Sequence, residues 1–431
     1  MQSLRALILI MVAAFAVVPA PGAPLSPAQQ RIQAAENAIK NEPDRYQAYN
    51  DLAFSLVSRA RETSDTSYYS QAAEALQKSL RLTPDNFEAL KAQVEVLLGE
   101  RRWAEARETA RVLNHRMPDD VPVYGYISEA AFELGDYDEA AAAAQWMLDL
   151  RPGNTLGLVR GAELRAVYGD LRGALDFYNQ VYQETSPHEV EPIARVLTHM
   201  ADLELGRGHA ESAEKLLDQA LKAFPGHYLG LEALARLRAA QGRYAEAIAL
   251  WRERTQQSPD PASLYKLAGT LERGGLREQA KTAYTEFEQQ ARQLLDKPEN
   301  ANRELILFYL DYAHSPAEAL RVANLEVARR HDVYTLDAYA WALAANGQCE
   351  EAKAQMEKAL KVGIRDAAFF YHAGVIAWRL NDRSAAQGYF KGSLDLNPVS
   401  TVSAAARQQL EVMENRNRPA REQSQEVVVT Q

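Results

Sequence analysis

From about residue 28 onward, apolar residues recur three and four places apart in short blocks, and the blocks are separated by glycine, asparagine, aspartate or proline. That period is the signature of helices with one buried stripe, and repeated polar breaks with no alternating strand pattern predict helix after helix. The blocks also resemble one another. Aligned on Tyr137, Trp103 and Tyr69, "GDYDEAAAAAQWMLDLRPGN" (135–154), "ERRWAEARETARVLNHRMPDD" (100–120) and "YSQAAEALQKSLRLTPDN" (69–86) follow one another at a step of thirty-four residues.

One alanine fixes the register. It falls at positions 72, 106, 140, 174, 213, 247, 280, 319, 352 and 386, with steps of 34, 34, 34, 39, 34, 33, 39, 33 and 34. Two insertions therefore leave the period intact, which marks an architectural repeat. Pro84, Pro118, Pro152, Pro225, Pro259 and Pro398 follow the second helix of their units, where a residue that cannot continue a helix belongs. Gly135, Gly169, Gly208, Gly242, Gly275 and Gly347 fall between the two helices, where a left-handed residue is expected. Leu76, Tyr178, Leu217, Trp251, Tyr284 and Phe390 are bulky residues placed to fill the space between units.

This grammar resembles the tetratricopeptide repeat. In the unit 121–152 the residues that carry the resemblance are Tyr124, Ile127, Ser128, Gly135, Tyr137, Ala140, Met147 and Pro152. It implies an all-α, right-handed superhelical solenoid of about ten helix-turn-helix repeats, with a half-repeat helix before it, a capping helix after it, and a concave groove lined by the first helix of each unit. The expected organisation is a signal peptide at 1–22, a linker and half-repeat helix at 23–45, the solenoid at 46–398, a capping helix at 399–413 and a disordered polar tail at 414–431. Three stretches depart from the pattern: an insertion at 59–69, and five extra residues near both 183–192 and 289–300. Units between 261 and 332 fit least well.

The first 22 residues change the setting. One early cation at Arg5, an apolar run from Ala6 to Val18, then small residues and prolines form the pattern of an export signal, with a mature start expected at Ala23. The chain is thus expected in the periplasm or cell envelope, or secreted, with membrane association only if the segment is retained. A single cysteine in an exported chain leaves no internal disulfide. The net charge of −10, without a basic run, argues against nucleic acid as a partner.

Catalytic signatures are missing. The eight histidines show no HExxH or Cys/His metal spacing, and neither a phosphate-binding GxxxxGK loop nor a G-x-S-x-G elbow occurs. The reading is a non-catalytic protein without cofactor or metal. Cys349 occupies the place held elsewhere by Tyr69, Trp103, Tyr137, Leu171, Tyr244 and Leu276, so packing is expected of it rather than reactivity.

Binding is expected in the groove. Glu95, Glu129, Glu163 and Asp202 recur at steps of 34, 34 and 39 and predict a ladder of carboxylates, which would favour a basic peptide segment. Lys91, Arg160 and Arg195 lie near enough to neutralise part of it. Further along, the equivalent places hold Phe308, Trp341 and Val375, with Tyr334, Asp337, Tyr371 and Trp378 as neighbours, so aromatic anchors replace the acids. The acidic ladder departs from the stacked lysine, asparagine and arginine by which some members of the family clamp a carboxyl terminus. The function expected is a scaffold in the cell envelope that holds a segment of a partner protein; the alternative is a module that binds a glycan or other envelope ligand through the aromatic end.

Overall fold

The structure, a computed structural model, describes residues 25–398 and 400–417. The signal-like segment, Val399 and the tail beyond 417 lie outside them. Ten helix pairs run from Tyr46 to Leu396. Repeat 1 is Tyr46–Thr63 with Ser67–Leu82, repeat 2 Phe87–Gly99 with Trp103–Arg116, and repeat 3 Val121–Leu134 with Tyr137–Leu150. Repeat 4 is Thr155–Val167 with Leu171–Glu184, repeat 5 Val190–Gly206 with Ala210–Ala223, and repeat 6 Tyr228–Ala240 with Tyr244–Gln257. Repeat 7 is Pro261–Arg273 with Arg277–Gln293, repeat 8 Asn302–Tyr312 with Pro316–Val327, repeat 9 Val333–Ala345 with Cys349–Lys361, and repeat 10 Ala367–Arg379 with Arg383–Leu396. A single helix, Pro27–Asn41, precedes the array and another, Ser403–Asn417, closes it.

The register residue explains why pairs form at all. Each of the ten alanines is no more than 2% exposed, because a methyl group is what lets the second helix approach the first. Leu76, Tyr178, Leu217, Trp251, Tyr284 and Phe390 are all buried between units. Every turn within a pair carries one left-handed residue. Six are the expected glycines; the other four are Ser64, Arg101, His314 and Asn381, with φ between 51° and 61°. The misfit region contains the one non-α turn of the described array, the π-helical segment Phe308–Tyr312 in the first helix of repeat 8.

First helices face inward. Along most of the array each packs directly against the first helix of the next repeat, whereas successive second helices form no comparable contact, as expected when the second helices lie on the larger radius.

The superhelix then closes on itself. The turn of each of repeats 1 to 4 meets the loop that enters the repeat six further on. Ser258 Oγ donates to the Ser64 carbonyl at 2.9 Å, and Arg101 donates to the Asn300 carbonyl at 3.3 Å. The His331 amide donates to the Leu134 carbonyl at 2.9 Å. A Cβ on Gly169 would stand 2.5 Å from the Gly363 carbonyl oxygen. What the repeat pattern predicts as an open concave groove is therefore, over this stretch, a lumen with a seam in its wall. Nothing in a 34-residue period announces a contact six repeats away.

Candidate functional site

The inner face is built from matched positions of consecutive first helices, so side chains 34 residues apart stack along it. Glu95, Glu129, Glu163 and Asp202 stand there as a column, but none is a free charge. Arg61 reaches Glu95 at 3.2 Å, and Tyr126 donates to the same carboxylate at 2.7 Å. Arg160 sits between Glu129 at 3.2 Å and Glu163 at 2.8 Å. Arg236 closes on Asp202 at 2.6 Å.

Arg61 and Arg236 occupy the ladder position itself, one repeat before Glu95 and one after Asp202. The spacing that reveals the acids would have revealed these cations, had the column been followed to both ends. The negative stripe is thus largely neutralised from within. Of the other two cations expected nearby, Lys91 is engaged by Glu88 and Asp120, each at 3.0 Å, and Arg195 by Glu191 at 2.5 Å. Burial still leaves a mark: it pushes the Glu163 carboxyl up to about 7, against the pull of Arg160 and with help from Glu129 and Glu133.

The aromatic end divides. Phe308 is a core residue, 4% exposed, packed with Tyr284, Phe287, Tyr309 and Tyr312 at ring separations of 5.4–5.6 Å. It opens the π-helical turn, and the exposed residue of that turn is Asp311, three places on. Trp378 is half-buried and, like Tyr371, packs beside Phe390, Ala406 and Met413, towards the closing helix. Phe308 was expected to bind and instead fills space between helices, for a large ring buries most area there.

Asp337, Trp341 and Tyr371 do come together. The Asp337 carboxylate, 7% exposed, bonds His372 Nδ1 at 2.8 Å. His372 stacks under Trp341 at 4.5 Å and 14°, and Tyr371 meets Trp341 edge-on at 6.3 Å. One face of the indole is therefore covered, which removes half of the stacking surface a sugar ring would use. Burial tends to discharge His372, but Asp337, Asp311 and Asp366 outweigh it and hold the imidazole above its usual value. Burial likewise raises the carboxyls of Asp311, opposed by His372 and the Trp341 indole, and of Asp366, opposed by the Ala368 amide. Asp311 and Asp366 form no ion pair among the described residues.

Cys349 is half-buried at the first turn of its helix. Its counterparts Tyr69, Trp103, Leu171 and Tyr244 are half-buried too and Leu276 is exposed, because this place lies at the turn edge rather than between helices. Only Tyr137 is buried there, where the seam covers it. Among the described residues no group of three or more His, Cys, Asp or Glu is placed to hold a metal, and no helix is long and apolar enough to cross a membrane.

Beside the seam lies a polar chamber of about 400 Å³, lined by Arg61, Tyr69 and Arg101 from repeats 1 and 2 and by Tyr228, Arg303 and Arg330 from across it.

Comparison with known proteins supports the repeat. The tetratricopeptide-repeat family model matches residues 58–121, 199–263 and 338–400. Among solved structures, a human IFIT1 dimer with m7Gppp-AAAA is similar at a TM-score of 0.50 and 14% identity, covering 85% of this chain and 84% of that one. Yeast Tom70 is similar at a TM-score of 0.41 and 15% identity, covering 94% and 99%. At this identity the likeness to IFIT1 is one of fold. A comparison with curated protein sequences found no match.

Proposed function

We propose that this chain, which the tetratricopeptide-repeat model matches over residues 58–121, 199–263 and 338–400, is an interaction scaffold that holds an extended, basic segment of a partner protein along its inner face. The observation that carries this is Asp311 beside Trp341 and Tyr371, with Asp366 acting on the same His372 imidazole. Both carboxyls are raised by desolvation, Asp311 although part of its surface is exposed; the imidazole that acts on both, His372, is already paired with Asp337, and among the described residues neither forms an ion pair. A lysine or arginine side chain placed there would relieve that cost and lie beside an aromatic edge or face. The ladder from Glu95 to Asp202 contributes less, because an incoming cation must displace an arginine already in place. The covered face of Trp341 speaks against the glycan reading.

The test uses fluorescence anisotropy with two labelled peptides of equal length, one arginine-rich and one glutamate-rich. The arginine-rich peptide binds, and Asp311→Asn with Asp366→Asn weakens it at least about tenfold, equal to ~1.4 kcal/mol. Trp341→Ala weakens it with thermal stability retained, while Glu129→Lys with Glu163→Lys has the smaller effect. Loss only in the ladder variant would move the site to the acids; no preference between the peptides would end the reading.

The signal-like segment motivates the second part of the proposal, an exported protein of the envelope. N-terminal sequencing of the protein recovered from its own envelope fraction should begin at Ala23, and an intact Met1 would count against cleavage.

A further inference from the structure

The seam has two unlike halves. Where repeats 3 and 4 meet repeats 9 and 10, one apolar cluster runs straight across it: Ala131, Tyr137, Leu164 and Val167 on one side, Val333, Leu336, Ile364 and Phe369 on the other. Backbone touches backbone, since a Cβ on Gly135 would stand 2.4 Å from the His331 carbonyl carbon. The Val333 amide, in addition, donates to the Tyr137 hydroxyl at 3.0 Å.

Where repeats 1 and 2 meet repeats 6 to 8, no core cluster of the described residues crosses. The links are polar: Ser258 and Arg254 bond Ser64 at 2.9 and 3.2 Å, Arg101 donates to the Asn300 carbonyl at 3.3 Å, Arg195 of the neighbouring repeat 5 donates to the Arg61 carbonyl at 3.3 Å, and the Arg330 guanidinium lies over the Trp103 ring at 4.8 Å. Behind them lies the polar chamber of about 400 Å³ rather than packed side chains. The turn residues differ in the same sense. Repeats 3 and 4 present glycine at the left-handed position; repeats 1 and 2 present Ser64 and Arg101, whose polar side chains span the seam by single hydrogen bonds.

We infer that the seam is a weld and a latch: repeats 1 and 2 open and close against repeats 6 to 8, pivoting on the apolar contact of repeats 3 and 4 with repeats 9 and 10, and so form a gate in the wall of the lumen. The physical reason is the asymmetry of what opening costs. Hydrogen bonds parted beside a polar chamber open to solvent are replaced by bonds to water, whereas parting the weld exposes apolar surface that has no such replacement. Elements that move are drawn from the contacts of lowest local stability. What the gate admits rests on the reading of the inner face as a peptide site; whether it opens does not.

Paired spin labels test the opening with no ligand present, so failure here is distinct from failure of the peptide reading. In a Cys349→Ala background, labels at the exposed pair Ser67→Cys and Gln256→Cys straddle the latch, and labels at the exposed pair Asp138→Cys and Arg365→Cys straddle the weld. Electron-spin distance measurement should give a broad or two-peaked distribution across the latch and one narrow peak across the weld. A buried-thiol measurement supports it independently: N-ethylmaleimide should modify Ser258→Cys at least about tenfold faster than Val333→Cys, the latter site being fully buried. Two equally narrow distances, or equal labelling rates at the two sites, would overturn the gate.

Discussion

At the scale of single residues, charge placement on the inner face decides more than charge count. Asp337 and His372 are both 7% exposed and hold each other at 2.8 Å. Removing one partner strands the other in a buried site. Asp337→Asn should therefore cost roughly 2–4 kcal/mol in urea unfolding at pH 6. The sign of the pH effect follows from the direction of the shift. His372 binds its proton more tightly folded than unfolded, so its contribution is complete below the unfolded value near 6.5 and is lost as pH rises through the higher folded value. Wild-type stability should fall as pH rises from about 6.5 through the higher folded value, and the Asp337→Asn variant should lose this component of the slope. An unchanged slope would show that the pair does not hold the proton.

At the scale of elements, the same residue type does different work in equivalent turns. Gly135 and Gly242 both sit at positive φ, 87° and 74°. Alanine at Gly242 meets open space and should cost only the left-handed strain, about 1 kcal/mol. Alanine at Gly135 must also enter the seam, against the His331 backbone, and should cost about 3 kcal/mol or more by thermal or urea unfolding. Equal costs would mean that the seam yields freely at the weld. The π-helical segment Phe308–Tyr312 shows what one local deviation does to side-chain placement: it coincides with the stretch that fits the repeat least, and there the expected groove residue Phe308 is buried while Asp311 is exposed.

At the scale of the whole molecule, closure changes how stability is shared. In an open solenoid each repeat answers only to its neighbours. Here Phe369 in repeat 10 belongs to the same buried cluster as Tyr137 and Leu164 in repeats 3 and 4. Phe369→Ala should cost about 3–5 kcal/mol, and native-state hydrogen exchange should show amides of Val121–Leu134 and Tyr137–Leu150 losing protection, while those of Ala210–Ala223 keep theirs. Loss confined to repeats 9 and 10 would show that the weld carries no coupling.

Read alone, the sequence is enough to establish the all-α repeat and its register, since the alanines at a 34-residue step, the closing prolines and the turn glycines each state a local steric requirement that neighbours cannot override. It also brings out the acidic column, because stacked first helices convert a sequence period into a spatial one. Which of those acids are neutralised depends on side-chain reach: Arg160 lies three residues before Glu163 yet bridges two repeats. Whether an aromatic residue faces the groove or the core depends on helix rotation, which the π turn alters at Phe308. The seam was decided by tertiary structure alone. Its register of six repeats is set by the accumulated angle between successive units, a sum of small packing differences that no single residue encodes, and only when that sum is complete do Ser64 and Ser258, or Leu134 and His331, arrive face to face.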